Sequence, residues 1–385
     1  MRKSGVRSQG AGGRGQGSGV RGQESGGRRR SIEGGSCRWL SIAADRIVMC
    51  LTAFSLLATC HLPLATSSAL ANDAPELTDQ ASEAIEKGLK HLLKRQRDDG
   101  SWGSVAVTSL SLMAFMSKGE FPGVGPNSAA LEKAKDWLLK TAKDSPDGYL
   151  GGSMYEHGLA TLALTELWGM TWDKEEDDDI QKAIEAAVDV ILRSQTDGGG
   201  WRYEPTPSGG QDTSVTVMVF IGLASARQAG IVVPNETIAK VLKYLHSAVS
   251  KETGGFNYVP SGRSGSLQNQ SVACTGGGAY AAQLAGERGT EIVLGALRFL
   301  EERTPAIIDN GFGSYYYGHY YAIQAMVQAG DNYYAKWYPR IRDALVRRQG
   351  TEGGWGKGGE DASYQTPMAI IILSTPHRYI PIYQR

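Results

Sequence analysis

From about residue 77 to residue 373 the chain alternates between two kinds of apolar segment. The first kind is striped. Ile85, Leu89, Leu92 and Leu93 recur at helical spacing, with Glu83, Lys87, Lys90 and Lys94 on the other faces, which marks a helix with one buried side. The second kind is apolar all round. Val105–Met116 reads VAVTSLSLMAFM, and a helix apolar on every side is buried on every side. The alternation predicts further outer, striped helices near Ala129–Thr141 and Ile180–Ile191, after Pro234, after Glu291, and around Trp337–Leu345. It predicts inner, buried helices at Tyr155–Trp168, Asp212–Ala226, Gln270–Ala285, His319–Ala329 and Ser363–Leu373.

A recurring turn joins each outer segment to its inner one. It reads Gln, three residues, Gly, one residue, Trp, at Gln96–Trp102, Gln195–Trp201 and Gln349–Trp355. Thinner copies keep a Gly and an aromatic, at Gly148-Tyr149, Gly255-Phe256 and Gly311-Phe312. A helix pair repeated in this way is a tandem array. Gly permits backbone angles that other residues resist, a Trp indole buries against helix ends, and a Gln amide satisfies backbone groups left free there. Gln96, Trp102, Gln195, Trp201, Gln349 and Trp355 are therefore assigned to stability. Six pairs without polar capping repeats predict closure. The fold expected is an all-α, α/α-toroid, with inner and outer rings of helices around a central apolar cavity. Gly276-Gly277-Gly278 sits inside the fourth inner run, where each Gly costs roughly 1 kcal/mol relative to Ala. It reads as a late helix start, a kink, or room for a neighbour or ligand.

The front of the chain differs. Residues 1–36 hold 12 Gly among many Arg and Ser, too few apolar side chains to offset the entropy of ordering, so residues 1–46 read as a disordered Gly/Arg-rich extension. Residues 47–60 (IVMCLTAFSLLATC) are uncharged and short of the ~20 residues that span a bilayer, and Ala69-Leu70-Ala71 is a small-x-small cleavage pattern. Residues 47–71 are expected to act as a secretory signal cleaved after Ala71. Two alternatives stay open: an uncleaved anchor giving membrane association through residues 47–64, and a lipoprotein signal ending at Cys60. Either way the protein is expected to be exported, periplasmic or in the cell envelope. Residues 72–385 then form a single domain with 30 basic and 37 acidic residues and one cysteine, Cys274. That balance argues against a nucleic-acid partner, and one cysteine allows no internal disulfide.

With its Gln-x₃-Gly-x-Trp turns and helix-pair period, the sequence resembles the prenyltransferase/squalene-oxidase repeat of terpenoid cyclases and protein prenyltransferases. It is more narrowly similar to secreted bacterial single-toroid members, through Gly200–Pro205, Gln211–Thr216, Tyr315–Gly318 and the closing Tyr379–Arg385. The resemblance implies an apolar or isoprenoid small-molecule ligand. It does not carry over an activity. The Asp-x-Asp-Asp acid motif of protonating cyclases is missing, and the Asp-Asp-x-x-Asp of ionising synthases fails at Gln181 and Lys182. The prenyltransferase zinc triad would match Cys274 and His319, but Val272 stands where its Asp belongs, and zinc takes at least three protein ligands. No cofactor is expected, and those two residues are where a zinc would be sought.

Polar residues recur against the apolar background at the inner-helix starts, which would rim the cavity mouth. Asp212, His157, His319 and Glu156 are the acid/base candidates. Tyr155, Thr213, Cys274, Tyr317, Tyr320 and Gln365 are expected to line the cavity. Each residue also has a plain reading as a helix cap, and Asp212 before Thr213 and Ser214 fits one well. Two functions follow: an exported binding or scaffold protein without catalytic motifs, or an isoprenoid-processing enzyme working through these polar residues.

Overall fold

The computed structural model describes residues 75–171, 173–260, 270–309, 314–356 and 362–384. The N-terminal extension, the signal segment with its anchor and lipoprotein alternatives, and the fifth turn at Gly311-Phe312 lie outside them.

Twelve α-helices form six pairs among the described residues, with the outer helix of each pair first. They are α1 (Asp79–Leu93) and α2 (Val105–Met116), α3 (Ser128–Lys143) and α4 (Met154–Leu167), α5 (Lys174–Ser194) and α6 (Thr213–Gln228). Then come α7 (Asn235–Ala248) and α8 (Val272–Leu284), α9 (Glu291–Asp309) and α10 (Tyr315–Ala329), α11 (Asp331–Arg348) and α12 (Ala362–Leu373). The two hydrophobic patterns sort as expected. All twelve residues of α2 are buried, whereas α1 buries only the stripe Ala81, Ala84, Ile85, Gly88, Leu89 and Leu92. Each fully buried large apolar side chain contributes about 1.5–3 kcal/mol, so the ring stands on its inner helices. Each inner helix packs on the next, α2 on α4 through to α10 on α12, and α12 returns to α2. Outside, α11 packs on α1. The array is a closed α/α-toroid.

The turns show how the ring is stitched. Gly100, Gly199 and Gly353 have φ of +90°, +94° and +84°, and each lies against a backbone carbonyl of the next outer helix: Lys133, Lys240 and, across the closure, Lys87. Each Gln amide donates both to its own glycine's carbonyl and to that same neighbouring helix. Gln96 reaches Gly100 and Ala130 (2.9 and 2.8 Å), and Gln195 reaches Gly199 and Thr237 (3.0 and 3.1 Å). Gln349 reaches Gly353 and, across the closure, Ala84 (both 2.7 Å). The Trp indoles face the other way and donate to Leu92, Ile191 and Leu345 at the end of their own outer helices. The thinner turns hold the same geometry one residue away from the sequence alignment. Gly148 and Gly254 take the glycine place (φ +76° and +75°), which puts Leu150 and Phe256 in the Trp position and leaves Tyr149 turned outward, half-buried.

The three glycines of α8 make room for neighbours on three sides. A side chain on Gly276 would meet the backbone of α10 at Ala322, one on Gly277 would meet Val217 of α6, and one on Gly278 would meet the Phe256 ring. Gly158 and Gly222 do the same between α4 and α6. Glycine here is the cost of bringing backbones together, and the helix runs through without a break.

Candidate functional site

The inner-helix starts repeat a fixed set of contacts, and these decide what their polar residues do. Ser104, Ser153 and Ser271 cap α2, α4 and α8, each accepting a hydrogen bond from the backbone N–H three residues on. Asp212 holds the same place on α6. Its Oδ1 accepts from Val215 N–H (3.0 Å) and from Ser214 Oγ (2.7 Å). Asp212 is fully buried, and its Oδ2 has no hydrogen-bond partner. A cap of this kind is worth ~1 kcal/mol.

Four residues beyond the cap, Thr108, Thr216 and Thr275 accept the backbone N–H of the turn aromatic, from Trp102, Trp201 and Phe256 (each 3.0 Å). Thr366 does so for Trp355. In the second repeat His157 fills this place. Its Nδ1 accepts from Leu150 N–H (3.0 Å), so Nε2 carries the proton and donates to the Ala187 carbonyl (2.9 Å). Burial holds its pKa down to about 4. With both nitrogens bonded to backbone and no exposed surface, His157 joins the turn to α5 and does not face the mouth.

The other candidates scatter. His319 is fully buried, edge-on to the Tyr315 ring at 4.5 Å and 5.9 Å from the Trp337 ring. Thr213 is buried and donates to the Asn257 carbonyl (2.6 Å) beside Tyr244. Glu156 is half-buried on the first turn of α4. Cys274 is 5 % exposed, and burial, with Asp212 adding to it, pushes its thiol up. Val272, where the resemblance would need an aspartate ligand, offers no ligand atom. Among the described residues the group of three acidic, His or Cys ligand atoms close enough to share an ion is Glu132, Asp136 and Glu176 on the outer helices, where the Lys135 ammonium already bonds Glu132 and Glu176.

The residues that do converge are tyrosines. Tyr155 of α4, Tyr317 of α10 and Gln365 of α12 line a cavity of about 570 Å³ at the inner-helix starts, with Tyr315, Tyr316, Tyr364, Met368 and Arg348. The Arg348 guanidinium lies 4.5 Å from the Tyr315 ring. Burial raises the phenols of Tyr155, Tyr316 and Tyr317 above their ordinary value, so they remain hydroxyl donors. Below the mouth the expected apolar pit is filled. Tyr155 and Tyr321 come from helices on opposite sides of the ring, and their hydroxyls stand 3.4 Å apart across its middle. Deeper still, Tyr320 meets Tyr383 of the C-terminal tail (Oη–Oη 2.5 Å). Tyr155, Tyr317 and Gln365, expected to line the central cavity, line this mouth instead, and Tyr316 and Arg348 were not among the expected residues. The run Tyr315-Tyr316-Tyr317-Gly318-His319-Tyr320-Tyr321 was the available signal. A second recess of about 620 Å³ lies outside the ring, between the end of α7 and α9. Its lining mixes Lys251, Glu252, Glu291, Arg298, Glu302 and Arg303, and the inner-helix starts do not reach it.

No protein-family model and no curated protein matches the chain. Solved structures do. Type II terpene cyclase MstE from Scytonema matches with a TM-score of 0.55 at 14 % identity, over 79 % of this chain and 100 % of that one. The GH76A α-1,6-mannanase of Salegentibacter sp. HEL1_6 matches with a TM-score of 0.56 at 12 % identity, over 77 % and 98 %. A protein from Actinoplanes matches with a TM-score of 0.52 at 15 % identity, over 76 % and 98 %. At such identities the likeness establishes the fold, a toroid shared with terpene cyclases and with a glycoside hydrolase.

Proposed function

We propose that this toroid is an exported small-molecule-binding protein that holds an apolar, isoprenoid-class ligand at its tyrosine-lined mouth and performs no acid/base chemistry there. The observation that carries the reading is the lining of the mouth. Among its described residues there is no carboxylate, imidazole or thiol; it offers aromatic faces, hydroxyls, an amide, the Met368 thioether and one guanidinium. Apolar walls with a few convergent polar groups suit a small ligand, and phenol rings offer large contact area with a polar tip. MstE has been solved with geranylgeranyl dihydroxybenzoate as substrate, which supports an isoprenoid over other apolar molecules. Export through residues 47–71 belongs to the same proposal, and a purified mature chain beginning at Asn72 is its check.

Titration of the chain with geranylgeraniol and with α-1,6-mannotriose, followed by calorimetry, tests the reading. Saturable binding of the isoprenoid, weakened at least tenfold by Tyr317→Ala, supports it. Binding of the sugar alone would overturn it. A second reading, an isoprenoid-processing enzyme, is favoured by the buried, unpartnered Oδ2 of Asp212. Consumption of a bound isoprenoid by the wild type and not by Asp212→Asn would select it.

A further inference from the structure

The end of the ring opposite the mouth is closed by the chain's own C-terminus. After α12 come two 3₁₀ turns, Thr375–His377 and Pro381–Tyr383, and the last residues turn inward. Ile380 and Ile382 are 2 % and 1 % exposed. Three hydrogen bonds seat them: Tyr280 Oη of α8 to the Ile382 carbonyl (2.7 Å), Tyr320 Oη of α10 with Tyr383 Oη (2.5 Å), and Gln328 Nε2 to the Gln384 carbonyl (2.6 Å).

Beside this tail lies a carboxyl that the toroid has no evident need of. Glu166 of α4 is 4 % exposed. Its Oε1 accepts from Ser225 Oγ of α6 (2.6 Å). Its Oε2 has no hydrogen-bond partner, although the Ile382 N–H lies near enough to favour the charged form. Tyr280, Tyr320 and Tyr383 are the titratable groups that feel it. The helices α2 and α5, also packed on α4, bring no group that shifts it, and no cation does. Burial raises the acid to about 7, with Ser225 and the Ile382 N–H opposing. A buried ionised carboxyl without a cation is costly, and the tail, whose Ile382 N–H lies beside the acid, is not built into an α-helix.

We propose that Ile380–Gln384 is a proton-released stopper, seated while the Glu166 carboxyl is neutral and lifted out when it ionises, which opens the ring at the end away from the mouth. The inference stands apart from the ligand reading, because it concerns the other end of the ring. Once the tail lifts, water reaches Glu166 and its pKa returns towards 4.5. The seated state therefore holds the proton more tightly, and seating is favoured at low pH and lost as pH rises through about 7.

Hydrogen–deuterium exchange of the full chain, corrected for the pH dependence of intrinsic exchange, reads the seating in peptides covering residues 374–385. Protection is expected to fall by about 75-fold between pH 5 and pH 8.5, the span set by a pKa of about 7 seated and 4.5 free, while peptides of α2 stay unchanged. Glu166→Gln should keep the tail protected throughout. Protection independent of pH in the wild type, or lost equally in Glu166→Gln, would overturn the proposal. Should that variant not fold, Ser225→Ala decides. Losing the Ser225 hydrogen bond must move the midpoint to higher pH, and an unmoved midpoint counts against the stopper.

Discussion

Gly199→Ala tests how the ring is held. Gly199 sits at φ +94°, and a methyl group added there would stand less than 3.0 Å from the Lys240 carbonyl oxygen of α7. The left-handed backbone costs an L-residue about 1–2 kcal/mol. The clash is with backbone, so no side-chain rotation relieves it, and α7 must retreat. That retreat stretches the hydrogen bond by which the Gln195 amide ties the turn to Thr237 of α7, worth about 1 kcal/mol. The total is about 2–3 kcal/mol. Gly230→Ala supplies the comparison, because Gly230 has a similar φ of +107° with no atom within 4 Å of the added methyl. It should lose only the backbone part, about 1–2 kcal/mol. Urea unfolding followed by circular dichroism and by Trp fluorescence measures both, provided the slope with denaturant is unchanged. Equal losses in the two variants would refute the stitching of each turn to the next outer helix.

Three further outcomes follow. Gln349→Ala, which cuts the bonds to Ala84 and Gly353, should cost about 1–2 kcal/mol and raise hydrogen exchange at the closure between α11 and α1 before it does so between α3 and α5; uniform exchange would contradict a seam there. Asp212→Asn keeps a capping oxygen, so it should shift the unfolding midpoint little and leave ligand binding at the mouth unchanged, whereas a large loss of affinity would move the site to α6. Stability against pH involves two buried groups of opposite sense. His157, at about 4 folded against about 6.5 unfolded, makes stability drop as pH falls through that window. Glu166, at about 7 folded against 4.5, makes it drop as pH rises from 4.5 to 7. Between pH 4.5 and 6.5 the two slopes, each about 1.4 kcal/mol per pH unit, cancel. Glu166→Gln should therefore expose the His157 slope relative to wild type, and parallel curves would show that Glu166 is not buried as an acid.

The architecture was legible because it rests on patterns with a period. Striped and all-apolar segments alternate, and the bounds of α2 match the run VAVTSLSLMAFM residue for residue. The Gln–Gly–Trp turns announced themselves because three copies repeat a backbone requirement. The thinner turns were misaligned by one residue. Glycines stand side by side at Gly254-Gly255, and a half-buried Tyr149 mimicked the buried aromatic, so only the φ angles reveal which residue bears the turn. The site was legible in part. Tyr155, Tyr317 and Gln365 follow from their places on inner helices, but polar character alone could not separate rim from cap. His157 was an acid/base candidate by its place at an inner-helix start, while its neighbours in space show it standing in for a threonine. The filled middle of the ring was hidden for another reason. Contacts such as Tyr155 with Tyr321 join residues 166 positions apart, and no local pattern reports them.

The central claim, a ligand held by the tyrosines of the mouth, is met most directly by mass spectrometry of lipid extracted from the protein purified from its own cell envelope, wild type beside Tyr155→Ala/Tyr317→Ala. The account predicts an isoprenoid in near-stoichiometric amount with the wild type and its loss from the double variant. A wild type free of lipid, or an isoprenoid carried equally by both proteins, would contradict it.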